Sequence, residues 1–306
     1  MLSFEDVKSN PTVFLAMTSL TVEEFEALCP AFEAAWKQHF GTEKNPNPSG
    51  PGKRPELRTI EDSLFFILFY LKCYPIQSVI GFLFGMAQST ANEWIHKLSA
   101  VLRIALKNLE MLPERNPEAV SEYIETKHGG DGEVEYQHLL IDATERRIER
   151  PSDNDTQKHY YSGKKKCHTV KENLVAGLND RKVIYLGDTH EGKMHDKKIA
   201  DKENIQFPEG TDLDKDTGFQ GYNPKGVTTH QPKKKPKGGE LTEEEKEENR
   251  LLSKVRVVVE HVIGGIKRLH IVKDVFRNKK EDFEDLVMEL ACGLHNFRTD
   301  FRHTTY

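Results

Sequence analysis

The chain has no apolar run long enough to cross a bilayer. Its longest, Leu64 to Leu71, is closed by Lys72, far short of the roughly 18 residues a membrane helix needs; it predicts a buried helix and no membrane partner. Cysteine is scarce, and Cys29, Cys73, Cys167 and Cys292 are scattered with no C-x-x-C pair. That spacing argues against both a zinc knuckle and a disulfide framework. The opening MLSFEDVK lacks the basic segment and apolar stretch of a secretory signal, so a cytoplasmic location is expected. There is also no excess of positive charge: the net charge is -5, which weighs against a simple phosphate-coating protein. The distribution is uneven, however. Residues 1–135 hold 12 Lys and Arg against 19 Asp and Glu, and residues 136–306 hold 32 against 30. If three acids of the second half bind cations, that half turns positive around them.

The 306 residues, 37% of them hydrophobic, are enough for one large or two ordinary domains. No internal repeat is present. Thr21 and Glu24 have capping-box spacing, and Phe25, Leu28, Phe32 and Trp36 recur at helical intervals, predicting a helix over 21–40. Residues 41–56 are dense in Gly, Pro and Asn and read as a mobile linker, so residues 1–56 form an N-terminal helical segment plus linker. Three helical pieces follow, Ile60 to Lys72, Ile76 to Phe84 and Thr90 to Leu106, punctuated by Pro75 and Gly85. The last two have helix-turn-helix form, with Ser89 placed to cap the second. On that second helix Trp94, Ile95, Leu98, Val101 and Leu102 share one face and leave Asn92, His96 and Lys97 outward. Polar groups near the start of a recognition helix suit contacts in a major groove; a plain three-helix bundle with a solvated face has the same periodicity. Residues 57–112 therefore read as a helix-turn-helix region, either DNA-binding or a plain bundle, and the polar, acidic stretch 113–135 as the interdomain connection.

Strand signals begin at residue 136 and define the second domain, 136–306. His138 to Ile148 carries Leu139-Leu140-Ile141, Cys167 to Leu178 is a second β-like segment, and Lys182 to Gly187 a third, joined through an Asn179-Asp180 turn. Asp196 to Lys202 reads as a short helix and Val227 to His230 as a strand. Residues 211–216, TDLDKD, are a poor strand by composition. A long helix opens at Thr242, with Glu245 in capping-box spacing, and runs toward His270; another spans about Asp282 to Arg298.

Three acids stand out by context. Asp142 ends an apolar strand, Asp216 opens D-T-G-F, and Glu260 lies in the long helix. On a helical wheel Ser253, Arg256, Glu260 and Lys267 fall within roughly 60°, while Val255, Val259, Val262, Ile263 and Ile266 centre about 120° away. One stripe packs, and its neighbour presents a carboxylate flanked by cations. That suits a divalent-metal site holding a phosphodiester, and equally a solvated face with Arg256 and Glu260 paired at i,i+4.

The run S-K-V-R-V-V-V-E-H-V-I-G-G-I-K closely resembles the Y-x2-R-x3-E-x6-K signature of insertion-sequence transposases, especially family five, and of their relatives among the eukaryotic Harbinger elements. Arg256, Glu260 and Lys267 match, and Ser253 stands where the signature has Tyr. D-T-G-F at Asp216 resembles the block that supplies the family's middle acid, I-D-A-T-E at Ile141 to Glu145 the block that supplies the first, and residues 65–98 the preceding helix-turn-helix. The resemblance implies an α+β chain, an all-α helix-turn-helix region followed by a ribonuclease-H-like mixed-sheet domain, with Asp142, Asp216 and Glu260 as catalytic acids holding two Mg²⁺ or Mn²⁺ ions. It further implies a transposase that cuts double-stranded DNA at the element's terminal inverted repeats and joins the freed ends to target DNA, working as a homo-oligomer on DNA and nucleoid-associated when bound. Arg256, Lys267 and the lysine run Lys164, Lys165 and Lys166 then become expected DNA contacts. Two rival readings are a transposase-derived regulator without catalysis and, from G-D-T-H-E-G-K-M-H-D, a metal-dependent phosphohydrolase using His190, His195 and Asp196.

Overall fold

A computed structural model of the chain describes residues 1–43, 56–128, 138–236 and 238–304. The chain divides into two units: Met1–Leu112 with Ile266–Asp274 and Lys279–Tyr306, and Pro113–Gly265 with Val275–Asn278. The linker expected at 41–56 lies, over residues 44–55, outside the described residues, as do residues 129–135 of the expected connection and Lys237.

The first unit starts with α1 (Phe4–Lys8), α2 (Pro11–Thr18), α3 (Val22–Phe40), α4 (Ile60–Cys73), α5 (Gln77–Phe84) and α6 (Gln88–Asn108). The α3 capping box forms as its spacing predicts: Thr21 N–H donates to Glu24 Oε2 at 2.9 Å and Glu24 N–H to Thr21 Oγ1 at 3.2 Å. Every residue of α4 from Ser63 to Leu71 is buried, the mark of a helix surrounded by others. Gly85 ends α5 at φ +69, and a Cβ on Gly81 would sit 2.8 Å from Met86 O, so two glycines make the tight turn between α5 and α6 possible. The start of α6 differs from expectation. Its N-cap is Ala87, which has no side chain to bond the first turn, and Ser89 lies inside the helix; the turn is already fixed by Met86 N–H donating to Gly81 O at 2.8 Å.

The second unit begins within the segment read as a connection. A 3₁₀ turn, Pro117–Ala119, leads into α7 (Val120–His128), and Val120 and Ile124 are fully buried against the sheet core. Apolar i,i+4 spacing outweighs the acidic composition there. Next come β1 (His138–Arg147), α8 (Asn154–Tyr160), β2 (Tyr161–Ser162), β3 (Cys167–Gly177), β4 (Val183–Leu186), β5 (His190–Glu191), α9 (Asp196–Glu203), β6 (Asp212–Lys215), a 3₁₀ turn at Thr217–Phe219, β7 (Thr228–His230) and α10 (Glu243–Ile266). The sheet order is β2-β3-β1-β6-β7, with β4 and β5 also on β3. β1 runs antiparallel to β3 and parallel to β6, and β6 parallel to β7. This is the ribonuclease-H-like mixed sheet, with β1 at its centre.

Alternation along β1 sends Leu139, Ile141 and Ala143 into a core with Val175, Leu213, Ala200 and Phe219 and turns Leu140, Asp142, Thr144 and Arg146 to the opposite face. On that face Arg146 forms a fully buried pair with Glu172, and Thr189 Oγ1 adds a hydrogen bond to Glu172 at 3.0 Å. The segment judged a poor strand by composition is β6, paired on both sides. Its polar residues are satisfied: Asp214 bonds His138, and Lys215 Nζ donates to Tyr222 O and, at 3.0 Å, to Asn223 Oδ1. Neighbours supply what propensity does not.

The chain closes with α11 (His270–Lys273) and α12 (Phe283–Thr304). Sequence reading places both with the sheet; the contacts place them with the first unit. Three arginines tie α12 there: Arg103 bonds Glu289 at 2.5 and 3.0 Å, Arg298 Nη1 bonds Ser19 Oγ at 2.7 Å, and Arg302 Nε bonds Glu24 Oε1 at 2.8 Å.

Candidate active site

Asp142 occupies the middle of β1, opposite Leu174 of β3, rather than ending the strand as expected; pairing with β3 carries β1 on through Arg147. Its Oδ1 accepts the Ala143 amide at 2.8 Å. The carboxyl is pushed up to about 6, first by burial, against the Ala143 hydrogen bond; the Asp216 and Asp196 carboxylates add to the rise and the Arg256 guanidinium opposes it. Desolvation and like charge both favour the neutral acid.

Asp216 caps the 3₁₀ turn that follows β6, its Oδ1 accepting Gly218 N–H at 2.6 Å. In the parallel register Ile141 lies opposite Lys215, so the next positions, Asp142 and Asp216, stand side by side on one face. Asp214 shares that face one step back, opposite Leu140; it is 3% exposed and bonded to His138. A Cβ on Gly218 would lie 2.6 Å from Asp196 Oδ2 and 2.8 Å from Asp216 Oδ1. The missing side chain is what lets these two carboxylates approach one small space.

From α10, Arg256 reaches the same place, its Nη2 4.0 Å from Asp216 Oδ2. Glu260 is one turn further along α10 and exposed. Among the described residues no three acids or imidazoles stand close enough to form a closed ligand set, so the two aspartates are brought together and Glu260 is not gathered with them. Lys267 falls in the turn just past the end of α10. Ser253 Oγ is turned back on its own helix, donating to Asn249 O at 2.7 Å.

One residue near the acids escaped sequence reasoning. Lys171 of β3 places its Nζ 2.8 Å from Asp196 Oδ1 and donates to Met194 O at 2.9 Å. Its partner Asp196 lies in the G-K-M-H-D stretch that the sequence offers as a hydrolase motif, and nothing in the sequence around Lys171 marks it. Among the described residues that rival has no ligand cluster: His195 is the N-cap of α9, His190 is paired on β5 against Lys171, and Asp196 turns to the lysine. A hard divalent cation fits the donor set better, because every donor is a carboxylate oxygen, and the Asp216 and Asp196 charges add to the rise that burial produces at Asp142.

The expected DNA contacts are dispersed. Lys164, Lys165 and Lys166 are exposed on the turn between β2 and β3. In the helical unit Lys97 is exposed, 3.3 Å from Glu93 and over the Trp94 ring, and Asn92 Oδ1 accepts from Gln77 Nε2 at 2.7 Å. His96 is not outward: its ring packs edge-on against Phe283 at 4.6 Å, since α12 covers that side of α6.

Comparison with known proteins bears directly on this arrangement. The family described as DDE superfamily endonuclease matches residues 141–296, and the family described as helix-turn-helix of DDE superfamily endonuclease matches residues 55–108. A probable transposase for insertion sequence element IS702 from Microchaete diplosiphon is 31% identical over 252 residues, covering 81% of this chain and 83% of the relative. No solved structure matches. Two family matches in the expected order, on a mixed sheet whose central parallel strands carry paired aspartates, leave one assignment: the chain belongs to the DDE superfamily of endonucleases.

Proposed function

We propose that Asp142, Asp216 and Glu260 are the acids with which this DDE transposase, dependent on a divalent metal, cuts DNA at the ends of its element and joins them to a target. The observation that carries the assignment is the register of β1 and β6, which puts Asp142 and Asp216 side by side with Arg256 4.0 Å from the second. Glu260 follows Arg256 by one helical turn, the spacing of the transposase signature. These carboxylate oxygens would hold the divalent metal, two Mg²⁺ or Mn²⁺ ions, which when bound would supply Lewis acidity to the attacking and leaving oxygens.

The chain's own residues supply position and charge. Arg256 neutralises a phosphate oxygen, and its hold on Asp216 keeps the guanidinium aimed at the acids. Gly218 keeps the space between carboxylates open. Lys171 draws Asp196 to itself and so limits the negative charge that the scissile phosphate meets. Recognition of the terminal inverted repeats belongs to α5 and α6, with Lys97 and Asn92 on the outer face of α6 and the Lys164–Lys166 turn tracking backbone. The active species is a homo-oligomer on DNA, nucleoid-associated, since two ends are joined in one event.

The test is cleavage of a duplex carrying the element's end, taken from the DNA flanking the gene, in Mg²⁺ or Mn²⁺. Asp142→Ala, Asp216→Ala and Glu260→Ala are each expected to lose cleavage and retain end binding by gel shift. Strand cleavage by folded Glu260→Ala at near the parent rate would sink the triad.

A further inference from the structure

The sheet unit has a second concavity, apart from the carboxylates. The segment from Arg150 through α8 and β2, the turn after β2 and the loop before α9 enclose a cavity of about 840 Å³ whose walls include Arg150, Gln157, Lys158, Tyr161, His168 and Lys193; none of its lining residues is acidic. The volume is in the range of small-ligand sites, about 300–1,000 Å³.

Its chemistry is specific. Arg150 donates through Nε and Nη2 to Gln157 Oε1 at 3.0 and 2.9 Å, and Gln157 in turn donates to Pro151 O at 2.8 Å. The guanidinium is thus held in place by a neutral amide, which fixes its charge without cancelling it. Lys158 has an ion pair with Asp155 at 2.8 Å, but both side chains are largely exposed, where such a pair is screened and weak. Tyr161 and His168 face each other across β2 and β3, ring centroids 5.7 Å apart at 71°. Tyr161 is 45% exposed, an aromatic surface with cations around it. The lysines 164 to 166 extend that charge along the adjoining turn.

An anion with a flat, stacking body meets these demands, and a nucleotide has both parts. A base inside a duplex is covered on both faces, so the occupant is unpaired. Aromatic stacking combined with a cationic track is how unpaired strands are held. In the β1–β3 register Leu174 lies opposite Asp142, and His168, six residues and about 20 Å back along β3, is on the same face by alternation. The cavity therefore opens on the strand and the sheet face that carry Asp142.

We propose that this cavity binds an unpaired nucleotide of the DNA strand next to the one being cut, its base on Tyr161 and its phosphate between Arg150 and Lys193. The placement beside the acids rests on the transposase reading above; the binding itself does not. The experiment is fluorescence anisotropy of the full chain with a labelled 12-nucleotide oligothymidylate and, separately, a blunt 20-base-pair duplex. Tyr161→Ala is expected to weaken the single strand about tenfold and leave the duplex unchanged, Tyr161→Phe to restore binding, and Arg150→Gln or Lys193→Gln to flatten its salt dependence. Equal melting temperatures show that each variant is folded. An oligothymidylate that fails to bind the parent chain, a Tyr161→Ala variant that binds it normally, or equal losses on both probes would each overturn the proposal. Failure of Asp142→Ala to abolish cleavage would instead count against the transposase acids and leave this binding result standing.

Discussion

Asp216 stands one residue past the Ile141–Lys215 pair that closes the β1–β6 register, and so beside Asp142 on the same sheet face. Asp214, on that face too, is one pair further back and bonded to His138. The two acids therefore have different work, although only two residues separate them. Asp216→Asn is expected to reduce metal-dependent cleavage by more than the roughly 10–100-fold typical of losing an outer partner of a metal ligand. Asp214→Asn is expected to lower the melting temperature while the remaining folded protein still cleaves. Equal cleavage losses, normalised to folded protein, would show that the register does not sort these aspartates.

Much of this was legible in the sequence because the signals are local. The Thr21–Glu24 and Thr242–Glu245 boxes form as spaced, and the apolar run at Leu139 to Ile141 marks the central strand. What was illegible depends on partners far along the chain. β6 has one apolar residue, Leu213, and is a strand because β1 and β7 flank it. Lys171 meets Asp196 across 25 residues, and no period in either segment announces the pair. The wheel of α6 alone turns His96 outward, whereas Phe283, far along the chain, packs against it.

Gly218 is expected to tolerate no side chain. A Cβ there would lie 2.6 Å from Asp196 Oδ2 and 2.8 Å from Asp216 Oδ1, closer than real contacts allow, so one carboxylate must move. Gly218→Ala should bind Mn²⁺ at least tenfold more weakly by titration calorimetry, in line with the cost of displacing a ligand's support, with an unchanged circular dichroism spectrum. Parent-like affinity would mean that these carboxylates do not share the cation.

On α6 the two basic positions should separate by phenotype. His96 is half-buried on Phe283 and its imidazole pKa is lowered, first by burial and then by Lys280. It is neutral packing material at pH 7. His96→Ala is expected to cost about 1 kcal/mol or more of stability, the range for edge-on aromatic contacts plus lost burial, and to leave salt-dependent DNA binding alone. Lys97→Ala should do the reverse, lowering the slope of log affinity against log salt by about one contact. A Lys97→Ala variant with the parent's slope would remove it from the phosphate contacts.

Glu203 should make the sheet unit less stable as pH rises. Its carboxyl is pushed up to about 8 from 4.5, first by burial, with the Asn173 hydrogen bond opposing and the Asp188 charge adding. Asn173 Nδ2 donates to its Oε2 at 3.1 Å, and Oε1 is buried without a hydrogen-bond partner. Folded, the group keeps its proton to about pH 8; unfolded, it ionises from about 4.5. A raised acid of this kind contributes stability that is whole below its unfolded pKa and is lost progressively until the folded value is passed. Glu203→Gln keeps the shape and the amide contact and has no charge to bury. Its melting temperature should therefore draw ahead of the parent's between about pH 5 and 8 and stay ahead above that. Each kcal/mol is worth about 2–4 °C in a domain of this size, so the gap should reach several degrees. Parallel curves for the two proteins across that window would show that Glu203 ionises in the folded chain as it does in the unfolded one.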